Sequence, residues 1–507
     1  MLSVAMVGAF AAAALVAAPA YAAPSINSAK KLTKAVTIEG VYEHLEAFQD
    51  IADTYGDRAA GRPGYAASVD YVVEELEGAG YDPTVQAFDF DYFEENSELA
   101  RISPLPTNYV NNDDFLRNAF DSGSPKGTAT GTLYPVDVNV PAGALPPNSN
   151  SSGCEPGDFI GFPVGAIAFM QRGTCGFALK ALNAQAAGAS GVIIMNEGQP
   201  GRDGLLNMIG DATGLTIPAV FTTSAVGEDL YSTSPGTIVT VTVDYEAETR
   251  TAYNVFAQTS TGSTENVVMA GAHLDSVQDG PGINDNGSGS AALLETAIQL
   301  QKTKLNNAVR FAWWGAEEEG LLGSEYYVEN LSDEEIEDIG LYLNFDMIGS
   351  PNYMFGVYDG DNSGGTAPEG FIPPGSAEIE DVFEMFYESR GLPYQDSEFS
   401  GRSDYGPFIA VGIPAGGLFT GAEGVKTPEE AALYGGIAGE SYDQCYHEPC
   451  DTIDNVNAFA LDVNADALAT AVITFAYDSS TVNGVSTPGK SHGAGNSGDA
   501  FMNRLAG

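Results

Sequence analysis

The sequence predicts an α/β protein, a mixed and mostly parallel sheet with helices on both faces, interrupted by an inserted β-rich module. Three observations predict it. From about Ala252 to Tyr477, short apolar β-branched runs alternate with helix-like segments, as βαβ units do. Three of those runs end abruptly in acids or histidine, which suits strand ends in an open sheet, where ligands gather. Between Ser103 and Tyr245 the composition shifts to Pro, Gly, Thr and Asn, with short strands and one clear helix, Phe177 to Ala187.

Taken in order, residues 1–22 join an apolar stretch, Val4 to Ala18, to Ala20-Tyr21-Ala22 ahead of Ala23, a signal-peptidase pattern that predicts export. No Lys or Arg precedes the apolar stretch, so the natural start is expected upstream of Met1. Residues 36–102 form the first part of the catalytic domain. Val41, Leu45, Phe48 and Ile51 mark one helix and Val69, Val72, Val73 and Leu76 a second, which Gly78 and Gly80 stop. A loop, Arg58 to Tyr65, joins them, and His44 in the first helix reads as a surface or boundary residue. Val85 to Phe93 is a strand. The module takes residues 103–245, the catalytic part 246–479, and residues 480–507, rich in Gly, Ser and Asn, are a flexible tail in which His492 is incidental.

Composition bounds the function. With 20 Lys and Arg against 69 Asp and Glu, the formal net charge is -49, which repels nucleic acid and anionic membranes. No run after residue 22 approaches the roughly 18 apolar residues of a membrane span, so the mature protein is expected to be soluble. Four cysteines in an exported chain favour two disulfides, and sequence proximity pairs Cys154 with Cys175 and Cys445 with Cys450. Their spacing does not resemble a structural zinc site.

Four segments carry the chemistry. In the first, Asn266 to Ala270 is a buried strand that leads through His273 and Asp275 to a glycine-flanked Asp285, and a helix, Ser288 to Thr303, follows. In the second, Ala308 to Trp314 runs into Glu317-Glu318-Glu319. In the third, Leu341 to Phe345 ends in Asp346, an acid after a strand without a local cation, which a metal would explain economically. In the fourth, Cys445-Tyr446-His447-Glu448-Pro449-Cys450 would present His447 on a short disulfide loop. Two imidazoles and three carboxylates are ligands that zinc accepts, with acids to spare for proton transfer. Two metals about 3.5 to 4 Å apart would polarise a carbonyl and lower the pKa of a bound water.

These segments, with Arg402-Ser403-Asp404-Tyr405-Gly406-Pro407-Phe408, resemble the M28 family of co-catalytic zinc peptidases, and in particular its secreted bacterial leucyl aminopeptidases. The resemblance implies a zinc exopeptidase fold and two zinc ions per chain. His273 and Asp346 would hold one, Glu318 and His447 the other, and Asp285 would bridge them. Glu317 would be the general base, Tyr446 would help to stabilise the oxyanion, Asp275 would orient His273, and Arg402 would bind substrate. Asn286 stands where relatives often carry a second Asp. The module around Gly165 to Cys175 and Lys180 to Ala189, continued by Gly191 to Asn196, resembles the protease-associated (PA) domain, an accessory without catalysis. The expected protein is therefore a secreted, monomeric metallo-aminopeptidase acting on peptides with a free amino terminus and a large apolar first residue, with calcium as a further candidate ion. Carboxypeptidases or dipeptidases of the family are the alternative, but they need a cationic pocket for the substrate carboxylate for which Arg402 is the lone candidate. A non-catalytic binding protein on the same scaffold would lack ligands that this chain keeps.

Overall fold

The computed structural model describes residues 27–485 apart from 118, 119, 121, 122 and 124, so the expected signal peptide and His492 lie outside the described residues. The chain divides into two compact units, one made of residues up to Phe90 and from Thr251 onward, the other of Asp91–Arg250.

The first unit is built on an eight-stranded sheet in the order Thr84–Glu95, Tyr245–Gln258, Asn307–Trp314, Ser263–His273, Ile339–Phe345, Ala415–Phe419, Gly356–Tyr358, Gln395–Ser397. Its centre is parallel: Ser263–His273 pairs in parallel with both Asn307–Trp314 and Ile339–Phe345, and the latter with Ala415–Phe419. Tyr245–Gln258 runs antiparallel to Asn307–Trp314, and Gly356–Tyr358 antiparallel to Ala415–Phe419. The central strands read as unbroken apolar runs because both faces are covered. On one face Met269, Ala312, Trp314 and Tyr342 pack with Tyr327, Phe408 and Ile409 from two short helices, and the Tyr342 and Phe408 rings stack at 4.0 Å. On the other, helices Gly289–Leu300 and Ala458–Tyr477 lie against the same strands, and Trp313 Nε1 donates to Ser290 O at 3.1 Å.

Helix Ala458–Tyr477 corrects one expectation. By length and composition it is apolar enough to cross a membrane, yet most of it is buried inside the fold, so its apolar character serves the core. His44 is a second correction: it is buried at 5% exposure in helix Ile38–Tyr55, with Nδ1 2.7 Å from Tyr71 Oη. Ser480–Asn483, inside the stretch expected as tail, form a short helix with Val482 buried and Asn483 bonded to Asn266.

The second unit also holds an eight-stranded sheet, with parallel pairing among Gly127–Pro135, Ile167–Gln171, Gly191–Met195 and Ala219–Thr222. Period-two alternation sends Ala168, Met170, Val192 and Ile194 to the face covered by helix Phe177–Ala186, and Phe169, Ile193 and Met195 to the face that packs on Val226 and Leu230 of helix Ser224–Ser232. Cys154 is joined to Cys175 in this unit and Cys445 to Cys450 in the other.

Candidate metal centre

Parallel register puts the predicted residues at one level. His273 lies opposite Trp314, and Gly271 opposite Asn344, so Glu317, Glu318 and Asp346 all leave the sheet at the end where His273 does. Ala316, Met347 and His447 each hold a positive φ, of 55°, 50° and 59°, and each is, or adjoins, a candidate site residue. Such a conformation costs about 1–3 kcal/mol per non-glycine residue and persists where its surroundings enforce it.

The donor atoms fall into two sets that share one residue. Asp285 Oδ1 is 3.2 Å from His273 Nε2, which is also 3.3 Å from Asp346 Oδ1. Asp285 Oδ2 is 3.3 Å from His447 Nε2, which is 3.1 Å from Glu318 Oε2. Each set offers one imidazole nitrogen and two carboxylates within metal-ligating reach of one another. Glu318 Oε1 is buried without a hydrogen-bond partner. A divalent cation with nitrogen and oxygen preference fits each set.

The electrostatics point the same way. Burial would push the His273 imidazole down, but Asp346, Glu317, Asp275 and Asp285 together raise it well above its ordinary value. Burial likewise opposes, and Asp285 and Glu318 outweigh it for, His447, which rises to about 10. Asp285 is pulled below the carboxylate range against its burial by the two histidines. Glu317 is pushed well up by burial, with Asp404, Asp346 and Glu318 adding to it against His273, and Glu318 reaches about 7 through burial and Asp285. A buried excess of carboxylates is costly unless cations compensate it.

Outer contacts fix these groups. Asp275, fully buried, meets His273 Nδ1 through its main-chain oxygen at 3.1 Å, while its carboxylate stands 3.8 Å away and accepts from Glu317 N and Glu318 N at 3.2 and 3.3 Å. A chain of donors runs from Trp314 Nε1 to Tyr342 Oη, on to Asn344 Oδ1, and from Asn344 Nδ2 to Ser403 Oγ, which donates to Asp346 Oδ2 at 2.6 Å. Sequence reasoning assigned no role to Asn344 or Ser403, and an alternating Tyr-x-Asn in a strand gives no sign that one will brace an acid two residues on.

Asp451 was missed as well. Its two carboxylate oxygens accept from Asn284 N and Asp285 N at 2.9 and 3.0 Å, and burial raises it to about 7 against those bonds. Asn286 is explained: Oδ1 accepts from Gly289 N and Met347 N, and Nδ2 donates to Phe345 O, tying the Asp285 turn to the strand that delivers Asp346. Asp404 is buried with Oδ1 unpartnered and is raised to about 7 by burial, Asp346 and Asp275, against His273.

His273, Asp285, Glu317, Glu318, Asp346, Tyr446 and His447 line one cavity of ≈ 290 Å³, with Met347, Met354, Tyr358, Phe419 and Tyr442 supplying its apolar wall, while Asp275 lies behind it. Tyr446 stacks on His447 at 3.8 Å. Arg402 also lines it, but its side chain is 74% exposed and stands 3.7 Å from Glu423.

A strand end, an irregular turn and a disulfide loop that bring two imidazoles and a shared carboxylate into such a cavity define a metal-dependent hydrolase. Comparison with known proteins narrows the class. Residues 254–472 match peptidase family M28, and residues 129–230 match the PA domain. An aminopeptidase of Pseudomonas aeruginosa is 48% identical over 443 residues, spanning 86% of this chain and 81% of that protein. Leucine aminopeptidase 2 of Trichophyton tonsurans is 39% identical, over 88% of this chain and 85% of its own length. A solved aminopeptidase from Aneurinibacillus sp. strain AM-1 matches with a TM-score of 0.54 at 26% identity, over 89% of this chain and 96% of that one. The chain belongs to peptidase family M28 and is a metallo-aminopeptidase.

Proposed function

We propose that this chain is a secreted two-zinc aminopeptidase that removes large apolar residues, such as leucine, from the amino terminus of peptides. The observation that carries the reading is Asp285, whose two oxygens face different histidines and so suit a bridge between two ions. His273 and Asp346 would hold one zinc, and Glu318 and His447 the other. Zinc at both positions supplies Lewis acidity towards the scissile carbonyl and lowers the pKa of water.

The remaining roles belong to the chain. Glu317 is the general base: burial among carboxylates raises its proton affinity, so it can take a proton from the attacking water and return it to the leaving amine. Tyr446, kept protonated by burial and by Asp285, Glu318 and Asp346, is a donor for the developing oxyanion. The substrate's α-ammonium group meets Glu317 and Asp346. The wall of Met347, Met354, Phe419 and Tyr442 supports an apolar first side chain, as does the name of the Trichophyton relative. Arg402 lies at the same cavity as a substrate contact. Export is supported by the pattern at residues 1–22 and by the two disulfides, which persist in oxidising compartments.

The test is hydrolysis of Leu-p-nitroanilide beside its amino-acetylated form, before and after chelation and zinc add-back. Cleavage of the free amine alone, lost on chelation and restored by zinc, is expected. Equal cleavage of both would rule out amino-terminal selectivity, and full activity after exhaustive chelation would rule out the zinc role. Amino-terminal sequencing of exported protein should begin at Ala23.

A further inference from the structure

Arg58 has no part in the roles above, yet its burial is extreme. It has no exposed surface, the only arginine of which that holds among the described residues, and it sits in the loop between helices Ile38–Tyr55 and Pro63–Ala79. A buried guanidinium ordinarily takes a carboxylate as its partner. This one takes three carbonyl oxygens: Nε donates to Pro281 O at 2.9 Å, Nη1 to Leu274 O at 2.5 Å and Nη2 to Gly282 O at 2.5 Å. Its plane lies over the Phe48 ring, 5.0 Å from the centroid. The backbone reinforces the contact, because Arg58 N donates to Ser276 Oγ and Ser276 N to Arg58 O.

The three carbonyls belong to the two ends of one loop. Leu274 follows His273, Gly282 precedes Asp285 by three residues, and a single rigid fork holds both ends at once. The charge is placed as well: Asp275, Asp451 and Asp285 all face it, and their attraction opposes the desolvation that lowers it. An ammonium cannot reproduce the fork, since its three donors radiate from one atom instead of lying along a plane.

We propose that Arg58 is a positioning residue of the metal centre: by tying Leu274 to Pro281 and Gly282 it sets the separation of His273 from Asp285, and its charge restrains the surrounding acids. The proposal rests on the two-zinc reading. Its consequence is that Arg58 governs zinc affinity and turnover without touching zinc or substrate.

The experiment compares the full chain with Arg58→Lys and Arg58→Met. Near-ultraviolet circular dichroism and the thermal midpoint of each apoprotein report the fold. Competition with a chromophoric chelator gives zinc affinity, and Leu-p-nitroanilide gives kcat and KM. Arg58→Met should keep the native near-ultraviolet spectrum, bind zinc about 10–100-fold more weakly, and lose kcat with little change in KM. Arg58→Lys should fall between it and the wild type. A purely structural role would lower the apoprotein midpoint while leaving zinc affinity and kcat of the folded protein unchanged, and that overturns the proposal. If Arg58→Met does not fold, Arg58→Lys decides by the same criterion: wild-type zinc affinity and kcat in the folded variant overturn it. A wild-type chain that takes up no zinc would instead remove the two-zinc reading on which the role depends.

Discussion

At the carboxyl ends of parallel strands in the unit Asp91–Arg250 stand Gln171, Asn196 and Glu197; in the other unit the corresponding places hold His273, Glu317, Glu318 and Asp346. The first group is satisfied from within. Gln171 Oε1 accepts from Asn139 N and Asn150 Nδ2, Asn196 Oδ1 from Arg172 and Glu197 N, and Glu197 from Arg202 and Asn148 N. Around the second group several buried acids face two histidines, His273 and His447, and Glu318 Oε1 and Asp404 Oδ1 have no hydrogen-bond partner. Similar strand geometry thus yields a buried, internally paired cluster in one sheet and a candidate cation site in the other. The difference lies in whether the chain supplies its own counter-charge.

Substitutions can break that comparison, and the largest effect is expected at Glu317. Glu317→Gln should lower kcat by about 10²–10⁴-fold with zinc content unchanged, checked by steady-state kinetics beside metal analysis. Unchanged kcat would exclude it as the base. Asp275→Asn should come next, weakening zinc binding about 10–100-fold in a chelator competition, because one oxygen that accepts from Glu317 N or Glu318 N becomes a donor.

Glu197→Gln sharpens the contrast from the other side. It leaves Arg202 without its charged partner and should destabilise its unit by about 1–3 kcal/mol in denaturant unfolding, with kcat/KM of the folded protein unchanged. A loss of catalysis with full stability would mean that the two sheets do not divide the work in this way.

The smallest effect should come from Glu430. Partial burial would raise it, but hydrogen bonds from Tyr442, Thr427 and Gln395 outweigh this and lower it to about 2. An unfolded glutamate titrates near about 4.3, so its stabilisation is complete above that pH and is lost as pH falls towards 2. Solvent screening keeps it below about 1 kcal/mol. The gap in unfolding midpoint between wild type and Glu430→Gln should therefore narrow from pH 5 to pH 2, and a gap that stays constant would contradict it.

What the sequence made legible followed from local rules. Apolar runs that end in His273, Glu317 or Asp346 announce strand ends, and a histidine between two nearby cysteines announces a rigid loop. What it hid depends on residues far apart in the chain. Asp451 braces Asn284 and Asp285 from about 166 positions away, and Ser403 reaches Asp346 across 57. His44 was misread because one histidine on a helix carries no sign of its burial beside Tyr71. The helix expected from Ser288 begins instead with an irregular turn over Ile283–Ser288, whose Asp285 and Asn286 leave helical geometry to face the cavity and the neighbouring strand.

The bond between Asp451 and the Asp285 backbone bears on how the molecule is made. His273 is the first of the candidate ligands to be synthesised and His447 the last, and the carboxylate that seats the shared ligand follows four residues later. A chain that stops after Asp346 but before Cys445 carries four of the five candidate ligands, yet lacks the second histidine's loop and the brace under Asp285. The candidate centre is therefore completed only near the end of the catalytic unit, so a chain truncated ahead of Cys445 is expected to lack hydrolytic activity.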